Sequence, residues 1–247
     1  MTQPARPTAS STTTAEGKVD QLVQRRFFPQ TGVPGVFVDV GAAGPEYLSI
    51  SAYYRALGWR VIAIEPNPQF YEMHRSRGYE AYPFACGDHD EDNVDFFVVD
   101  SHGAAYLSGE VSYESFSSLG IKDSYAALKT GLDKRIIKRN LRRLSTLLSN
   151  EIPNVRKVDI LSIDVEGWEL EVLSGLDVSR HRPSVIIVEN LFKEKRYRVF
   201  LKHMGYTLWR RVYPNDIYVD WKFIRPGFYR LGFAIECLGN LLTSRGR

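Results

Sequence analysis

The sequence predicts an α/β fold, a mostly parallel β-sheet with helices on both faces and an antiparallel hairpin near its C-terminal end. From residue 36 to residue 219, short β-branched or aromatic runs alternate with helical patterns. The runs are almost continuously apolar, as in strands that are covered on both faces. The final two runs are separated only by a short turn at Pro214 and Asn215, which indicates a hairpin rather than another crossover.

The runs define five parallel strands and one hairpin. The parallel strands are VFVDV (36–40), RVIAI (60–64), AYPFA (81–85), VDILSI (158–163) and SVIIVE (184–189). The hairpin joins YTLWRRV (206–212) to DIYVDW (216–221). Helix boundaries follow from Pro just inside a start and Gly just past an end. The three helices predicted in this way are bracketed by Pro45 and Gly58, by Asn67 and Gly78, and by Gly167 and Gly175.

A single domain is expected from 247 residues of which 44% are hydrophobic and 25% are charged. We predict that it spans residues 18–221, after a disordered Ser/Thr/Pro-rich arm at 1–17. The arm lacks the apolar core of a signal peptide, and no run approaches the ~20 apolar residues that cross a bilayer. The two cysteines lack the spacing of a zinc site or a redox pair, so we expect a reduced, cytoplasmic chain.

Residues 121–150 form a basic segment outside this strand pattern. They contain eight Lys or Arg and two Asp, and their large aliphatic residues recur at helical spacing, so we predict a basic helical insertion. Its cationic face is either simply solvated or a lid that attracts an anionic acceptor or an anionic membrane surface. The net charge of the chain, +3, is too small to indicate a nucleic-acid partner.

The apolar and basic tail at 222–247 contains FYRLGFAIECLGNLL, which is apolar except for Arg230 and Glu236. Two interpretations stay open. The segment packs on the core or against a second copy in a homodimer, or it holds the chain peripherally at a membrane surface.

The first strand ends in a turn of small residues, FVDVGAAGP (37–45), which predicts a ligand site. Gly41, Ala42 and Ala43 let a ligand approach the backbone, and a helix that starts at Pro45 would offer free amide donors. Asp39 would contact the ligand or support the turn. The alternative is a tight turn that serves packing alone.

The next two strand ends supply further candidates. Glu65, followed by Pro66 and Asn67, ends the second strand, where a carboxylate can accept both hydroxyl protons of a ribose. Cys86 and Asp88 follow the third strand and are placed to edge an adenine, although such residues are also ordinary in turns. A nicotinamide cofactor is the competitor, but the turn does not match its G-x-G-x-x-G fingerprint.

Four segments of the chain form a recognisable series. They are DVGAAGP (39–45), GWRVIAIEPNP (58–68), VDILSIDVEGWELEVLSG (158–175) and RPSVIIVE (182–189). The series resembles the FkbM-type family of S-adenosylmethionine-dependent methyltransferases over about residues 35–220. The resemblance implies a Rossmann-like methyltransferase fold, S-adenosylmethionine as cofactor, and O-methylation of hydroxyls on natural products, glycans or glycolipids. The chain departs from many members in the first turn, where Ala43 and Pro45 replace an Asn and a later Gly.

Two acids after the fourth strand are the candidate catalytic residues. In the family pattern Asp164 lies at the carboxyl edge of that strand, and Glu166 begins the next helix, where a carboxylate also favours the helix dipole. Methyl transfer requires the acceptor oxygen to be aligned with the methyl carbon and to lose its proton. We hypothesise that Asp164 orients the acceptor or the cofactor's amino group and that Glu166 binds the acceptor hydroxyl. The roles could be exchanged, or Glu166 could only cap its helix.

The remaining titratable residues add no further site. No second convincing pair of ligands accompanies the acids, so no metal is predicted. The five histidines lack partners at informative spacing, and we expect them to have surface or packing roles. Besides a methyltransferase, an NAD(P)-dependent oxidoreductase and a noncatalytic nucleotide-binding relative stay open.

Overall fold

A computed structural model describes residues 15–30, 32–100, 117–120, 122, 133–224 and 228–243. Its strands are β1 (Val36–Val40), β2 (Arg60–Ile64), β3 (Ala81–Tyr82), β4 (Ala85–Gly87), β5 (Glu91–Asp100), β6 (Asp133–Arg143), β7 (Ile160–Ile163), β8 (Val185–Glu189), β9 (Tyr206–Val212) and β10 (Asn215–Asp220). Its helices are α1 (Val19–Phe27), α2 (Ile50–Ala56), α3 (Pro68–Ser76), α4 (Leu144–Thr146), α5 (Glu169–Ser174), α6 (Lys195–His203) and α7 (Phe228–Thr243). A 3-10 helix at Glu16–Lys18 precedes α1, and a π-helix at Leu147–Glu151 follows α4.

The central sheet has seven strands in the order β3-β2-β1-β7-β8-β10-β9. Its neighbours pair in parallel, except that β10 is antiparallel to both β8 and β9. This arrangement confirms the predicted fold class and the C-terminal hairpin. The chain order reverses between β1 and β7, and such a switch point opens a crevice at the carboxyl ends of the strands. The reversed β10 also distinguishes the sheet from the wholly parallel order of dinucleotide-binding dehydrogenases.

Most of the predicted strands are confirmed. β1 and β2 occupy the predicted residues, and β7 and β8 begin within two residues of the predicted starts. The single third strand predicted at 81–85 is wrong. β3 pairs with β2 at the edge of the central sheet, whereas β4 pairs with β6 in a separate sheet. Pro83, which has no amide proton to donate to a ladder, lies where the chain passes from one sheet to the other.

The helix boundaries are predicted well except at the first start. α3 begins at Pro68 with Asn67 as its cap, and Gly175 follows the end of α5. α2 begins at Ile50 and not at Pro45. Leu48 has a positive φ of 53°, which a right-handed helix does not accommodate, and the Ser49 hydroxyl accepts the amide of Ala52 to cap the helix two residues later. The turn after β1 is therefore longer than expected.

The predicted basic helical insertion is wrong at residues 133–143, whereas its last part, residues 144–150, is helical as predicted. Residues 133–143 form strand β6, which lies between β4 and β5 in a three-stranded sheet. Two-residue alternation brings Ile137 and Leu141 to the inner face, while Ile136, part of the predicted apolar helix face, is 58% exposed. Lys138 lies opposite Asp95 of β5 and forms an ion pair with it, so acids of the neighbouring strand neutralise part of the charge. Residues 121 and 123–132 of the prediction lie outside the described residues.

Helices cover both faces of the central sheet. On one face α1, α2 and α7 pack against β1 and β8, with a core that includes Val23, Tyr54, Phe233, Phe37 and Ile187. On the other face α4, the π-helix, α5 and α6 contribute a core that includes Leu144, Leu147, Val172 and Leu201. Because each sheet face is buried, the strands need the continuously apolar sequences that identified them.

The ends of the predicted domain need one correction. Ala15 is 6% exposed and packs in the core, and the following 3-10 helix is ordered, so the fold begins before residue 18. Residues 1–14 of the predicted arm lie outside the described residues.

Residues 228–243 of the C-terminal tail form helix α7, which packs on the core. In α7, Glu236 accepts from the Trp209 indole at 2.7 Å and pairs with Arg26. The outer side of α7 exposes Ile235 and Leu238, so contact with a second copy or a membrane surface stays a prediction. No helix in the described ranges has both the length and the apolar character that a bilayer crossing requires.

Candidate active site

A cavity opens at the carboxyl ends of β1, β2, β7 and β8, where the order of the sheet reverses. Eight of the predicted site residues line it: Asp39, Gly41, Ala42, Ala43, Glu65, Pro66, Asp164 and Glu166. Three separate stretches of sequence thus converge as the parallel topology requires.

The turn after β1 lies directly against the end of β7. Gly41 has a φ of 76°, and a Cβ there would lie 1.7 Å from the carbonyl oxygen of Asp164. The Gly41 amide donates to the Ile64 carbonyl at 2.9 Å, and the Asp164 amide donates to Val40 at 3.0 Å. Only glycine combines this backbone conformation with this close approach. The turn after β1 and the end of β7, where Asp164 lies, therefore pack tightly against each other, and a displacement of one would displace the other.

Ala43, the residue at which the turn departs from the family pattern, is held from both sides. Its φ is 42°, unusual for a residue with a side chain. Its amide donates to the Glu65 carboxylate at 2.8 Å, and its carbonyl lies 3.0 Å from Nε2 of His74. Two side chains from other elements thus stabilise the conformation.

Glu65 is buried at the end of β2 and bonds to the backbone of both neighbouring turns. One carboxylate oxygen accepts from Asn67 at 2.7 Å and the other from Ala43. Burial outweighs these hydrogen bonds and raises the pKa of Glu65 to about 7. A carboxylate has about four acceptor positions, so each oxygen keeps capacity for one further donor, such as a ribose hydroxyl.

Asp39 lies beneath the turn with its side chain buried. Hydrogen bonds from Ser51 and Ser162 and the nearby Arg55 favour the charged form, but desolvation is the largest effect and raises the pKa of Asp39. Arg55 also donates to the carbonyl of Pro45 at 3.3 Å. Asp39 is therefore placed to support the turn and also to face the cavity.

The two candidate catalytic acids lie together on the cavity wall. Asp164 is exposed to the cavity mouth, whereas Glu166 is half-buried and has a φ of 59°. Glu189, at the end of β8, also lines the cavity and is 6% exposed. Oxygens of Asp164, Glu189 and Glu169 lie within 4.8 Å of one another. Of these carboxylates, those of Asp164 and Glu189 line the cavity together with Glu166, so these three can face an acceptor group.

Glu169 supports this wall from behind. One of its carboxylate oxygens accepts from Val165 at 3.2 Å and from Gly167 at 2.9 Å, and the other accepts the Tyr197 hydroxyl at 2.6 Å. Burial raises the pKa of Glu169, against the effect of these bonds. Its oxygens are engaged in fixing the loop that carries Glu166, so we assign the acidic cluster no ion.

Asn67, Cys86 and Asp88 do not line the cavity. Asn67 instead caps α3 by accepting the amide of Gln69. The Cys86 side chain lies in the hydrophobic core, and Asp88 is exposed and bonded to His89. Because β4 belongs to the second sheet, Cys86 and Asp88 lie outside this lining, and their contact with an adenine stays a prediction.

Sequence reasoning missed several lining residues. They are Glu16, Tyr47, Leu48, Phe70, Phe96, Ser117 and Glu189, among others. Glu189 carried a usable signal, because it ends a buried strand as Glu65 does. Glu16 carried no such signal, because it lies in the segment that we predicted to be a disordered arm. The predicted packing role of histidine fits His181, which bonds Ser149, while His102 lies outside the described residues.

Known proteins are similar to this chain in sequence and architecture. The family described as "Methyltransferase FkbM domain" matches residues 39–208. "Methyltransferase 1" of Beauveria bassiana (strain ARSEF 2860) is 28% identical over 124 residues, 47% of this chain and 49% of that protein. The chain therefore spans about half the length of this curated relative. A precorrin-6y C5,15-methyltransferase structure from Geobacter metallireducens GS-15 gives a TM-score of 0.36 at 16% identity, covering 81% of this chain and 87% of that one.

Proposed function

The chain belongs to the family of FkbM methyltransferase domains, and from this premise we propose that it uses S-adenosylmethionine to methylate a hydroxyl of a sugar-containing or natural-product acceptor. The observation that carries the proposal is the convergence of Glu65, the Gly41 turn and the Asp164–Glu166 loop on one cavity. Glu65, which can bind a ribose, and the acids that can bind an acceptor hydroxyl therefore face the same cavity.

The residues present fit the cofactor. Glu65 has acceptor capacity left for the ribose hydroxyls, and the small residues Gly41 and Ala42 let the amino-acid end approach the backbone. Asp39 lies near enough to the turn to attract an ammonium or to support the backbone that holds it. When bound, the cofactor supplies an electrophilic methyl group on a cationic sulfur.

Asp164 and Glu166 would then serve the acceptor. An alcohol is a weak nucleophile while protonated, so a carboxylate within hydrogen-bonding reach would orient it and take its proton as the C–O bond forms and the C–S bond of the methyl donor breaks. The half-buried Glu166 is the better placed base, and the exposed Asp164 orients the incoming group. Glu189 adds a third acceptor for neighbouring hydroxyls.

The charge of the cavity favours a neutral, hydroxyl-rich acceptor over an anionic one. Its described lining contains six carboxyl groups, those of Glu16, Asp39, Glu65, Asp164, Glu166 and Glu189, and no Lys, Arg or His. A phosphate would be repelled there, whereas sugar hydroxyls can donate to the carboxylates. The basic strand β6 gives an anion less attraction than its sequence suggested, since Lys138, Arg142 and Arg143 pair with acids.

Transfer of a labelled methyl group tests the acceptor class. We expect the purified chain to transfer label from S-adenosylmethionine to neutral sugars and methyl glycosides, and much less to the same sugars carrying a phosphate. The product should be a methyl ether that survives alkali. Alkali-labile label would indicate a carboxyl acceptor, and a preference for the phosphorylated sugars would contradict the charge argument.

Cofactor affinity should depend on pH through Glu65. The ionised form accepts hydroxyl protons, so affinity is lost as pH falls through its pKa of about 7. If only the ionised form binds, the Kd of S-adenosylhomocysteine should tighten about tenfold between about pH 6 and about pH 8, with proton release. Calorimetry in buffers of different ionisation enthalpy measures both quantities.

The matched variants for this titration are Glu65→Gln and Glu80→Gln. Glu80 pairs with Arg60 away from the cavity, so its variant should keep the pH dependence. Glu65→Gln should bind weakly and without that dependence. A wild-type Kd that is flat across this range would exclude Glu65 as the titrating acceptor.

A further inference from the structure

We propose that His74 is a positioning residue for the cofactor turn: it fixes the carbonyl of Ala43 and so keeps Gly41–Ala43 in the conformation that binds the ligand. The inference rests on the proposed function and adds a residue to it. His74 belongs to α3, a different element from the turn, and it does not line the cavity. Its influence on the cofactor would therefore pass through the backbone of Ala43.

The contact itself is specific. The His74 side chain has no solvent exposure, and its Nε2 lies 3.0 Å from the Ala43 carbonyl oxygen. A carbonyl can only accept, so Nε2 carries the proton and donates. This bond defines the tautomer of the ring and joins residues that are 31 positions apart in the chain.

Ala43 needs such a constraint. A positive φ of 42° is sterically unfavourable for a residue with a Cβ, so the turn would relax if it were not held. Glu65 fixes the amide of Ala43, and His74 fixes the carbonyl. Glu65, which we assign to the ribose, and His74 therefore bind the same residue. Displacement of the turn would disturb both the ribose contact and the contact with the amino-acid end of the cofactor.

The chemistry of the ring favours a hydrogen-bonding role over simple filling of space. Within the described part of the chain, Nδ1 of His74 is buried without a hydrogen-bond partner. A phenylalanine would fill similar space without burying an unpaired nitrogen. The hydrogen bond from Nε2 is therefore the feature that offsets the cost of burying Nδ1. Desolvation and the nearby Arg55 and Arg77 lower the pKa of His74 to about 4, which keeps the donor neutral near pH 7.

His74→Phe and His74→Gln separate the donor from the packing. Phe removes the donor and leaves the Ala43 carbonyl unsatisfied, whereas the Gln amide nitrogen can reach a position close to that of Nε2. We expect the Kd of S-adenosylhomocysteine to rise about tenfold in His74→Phe and to stay within about threefold of wild type in His74→Gln. Acceptor KM, measured at saturating cofactor, should change little in both.

Several outcomes would overturn the role of His74. Equal affinity of wild type and His74→Phe would do so, and so would equal weakening in both variants, which indicates packing alone. If His74→Phe does not fold, ¹⁵N NMR of the wild-type imidazole decides, since an Nδ1–H tautomer contradicts the bond to Ala43. Absence of S-adenosylhomocysteine binding in the wild type is a different result, because it overturns the proposed function itself.

Discussion

Replacing Gly41 by alanine should nearly abolish cofactor binding. The new Cβ would lie 1.7 Å from the Asp164 carbonyl oxygen, a backbone atom that cannot rotate away, and alanine disfavours a φ of 76°. The turn and the end of β7 would have to separate by an ångström or more. We expect the Kd of S-adenosylhomocysteine to rise on the order of 100-fold, with stability reduced by about 3 kcal/mol. Calorimetry and urea unfolding measure the two effects.

Gly44→Ala is the matched control for this prediction. It lies in the same turn, but its φ is not in the left-handed region and the nearest atom to an added Cβ is the flexible end of Met73 at 4.0 Å. This variant should bind and unfold much like wild type. Wild-type affinity in folded Gly41→Ala would show that the turn does not hold the cofactor.

Removing the acceptor-side carboxylates should stop turnover while leaving the cofactor site intact. A positioned general base contributes about 100- to 10,000-fold, so Glu166→Gln should lower kcat by about that factor. Asp164→Asn should lower it by on the order of 100-fold by loosening the acceptor's alignment. Methyl transfer under saturating cofactor, with an acceptor that the labelling assay identifies, measures kcat. The Kd of S-adenosylhomocysteine should change by less than about threefold in Glu166→Gln.

Acids on the second sheet provide controls of the same chemistry. Glu91→Gln and Asp95→Asn remove exposed carboxylates that pair with His89 and Lys138, outside the cavity lining. Both variants should turn over like wild type. Near-normal kcat in both Glu166→Gln and Asp164→Asn would refute their assignment to the acceptor and direct attention to Glu189.

The central sheet could be predicted because its signals are local. Strands such as Val36–Val40 and Arg60–Ile64 are short apolar runs bounded by glycine and proline, and parallel topology then places Glu65 and Asp164 at one edge. The position of a residue at a strand end was therefore enough to find eight of the twenty described residues that line the cavity.

The second sheet could not be predicted in the same way. The basic residues of β6 follow a pattern that also suits a helix, and only their pairing with β5, more than 30 positions earlier, decides between the two. The misplacement of Cys86 has the same origin. It was predicted to follow the third strand of the central sheet, but it lies within β4 of the second sheet, and its partner there, Arg142, is distant in sequence.

The contacts that support the site could not be predicted from local sequence patterns either. His74 reaches Ala43 and Glu169 reaches Tyr197 only after the helices have packed. These two contacts join residues 31 and 28 positions apart, a separation that sequence periodicity does not reveal. Cavity-lining residues that follow strands can thus be inferred from the sequence, whereas residues that fix their positions require the tertiary structure.

The central claim is that this cavity binds an adenosine-containing sulfur nucleoside, and calorimetric titration of the wild-type chain tests it most directly. We expect saturable binding of S-adenosylhomocysteine at about pH 8, one molecule per chain, and no measurable binding of NADH under the same conditions. Binding of NADH in preference to S-adenosylhomocysteine, or no binding of S-adenosylhomocysteine with a folded protein, would contradict the account.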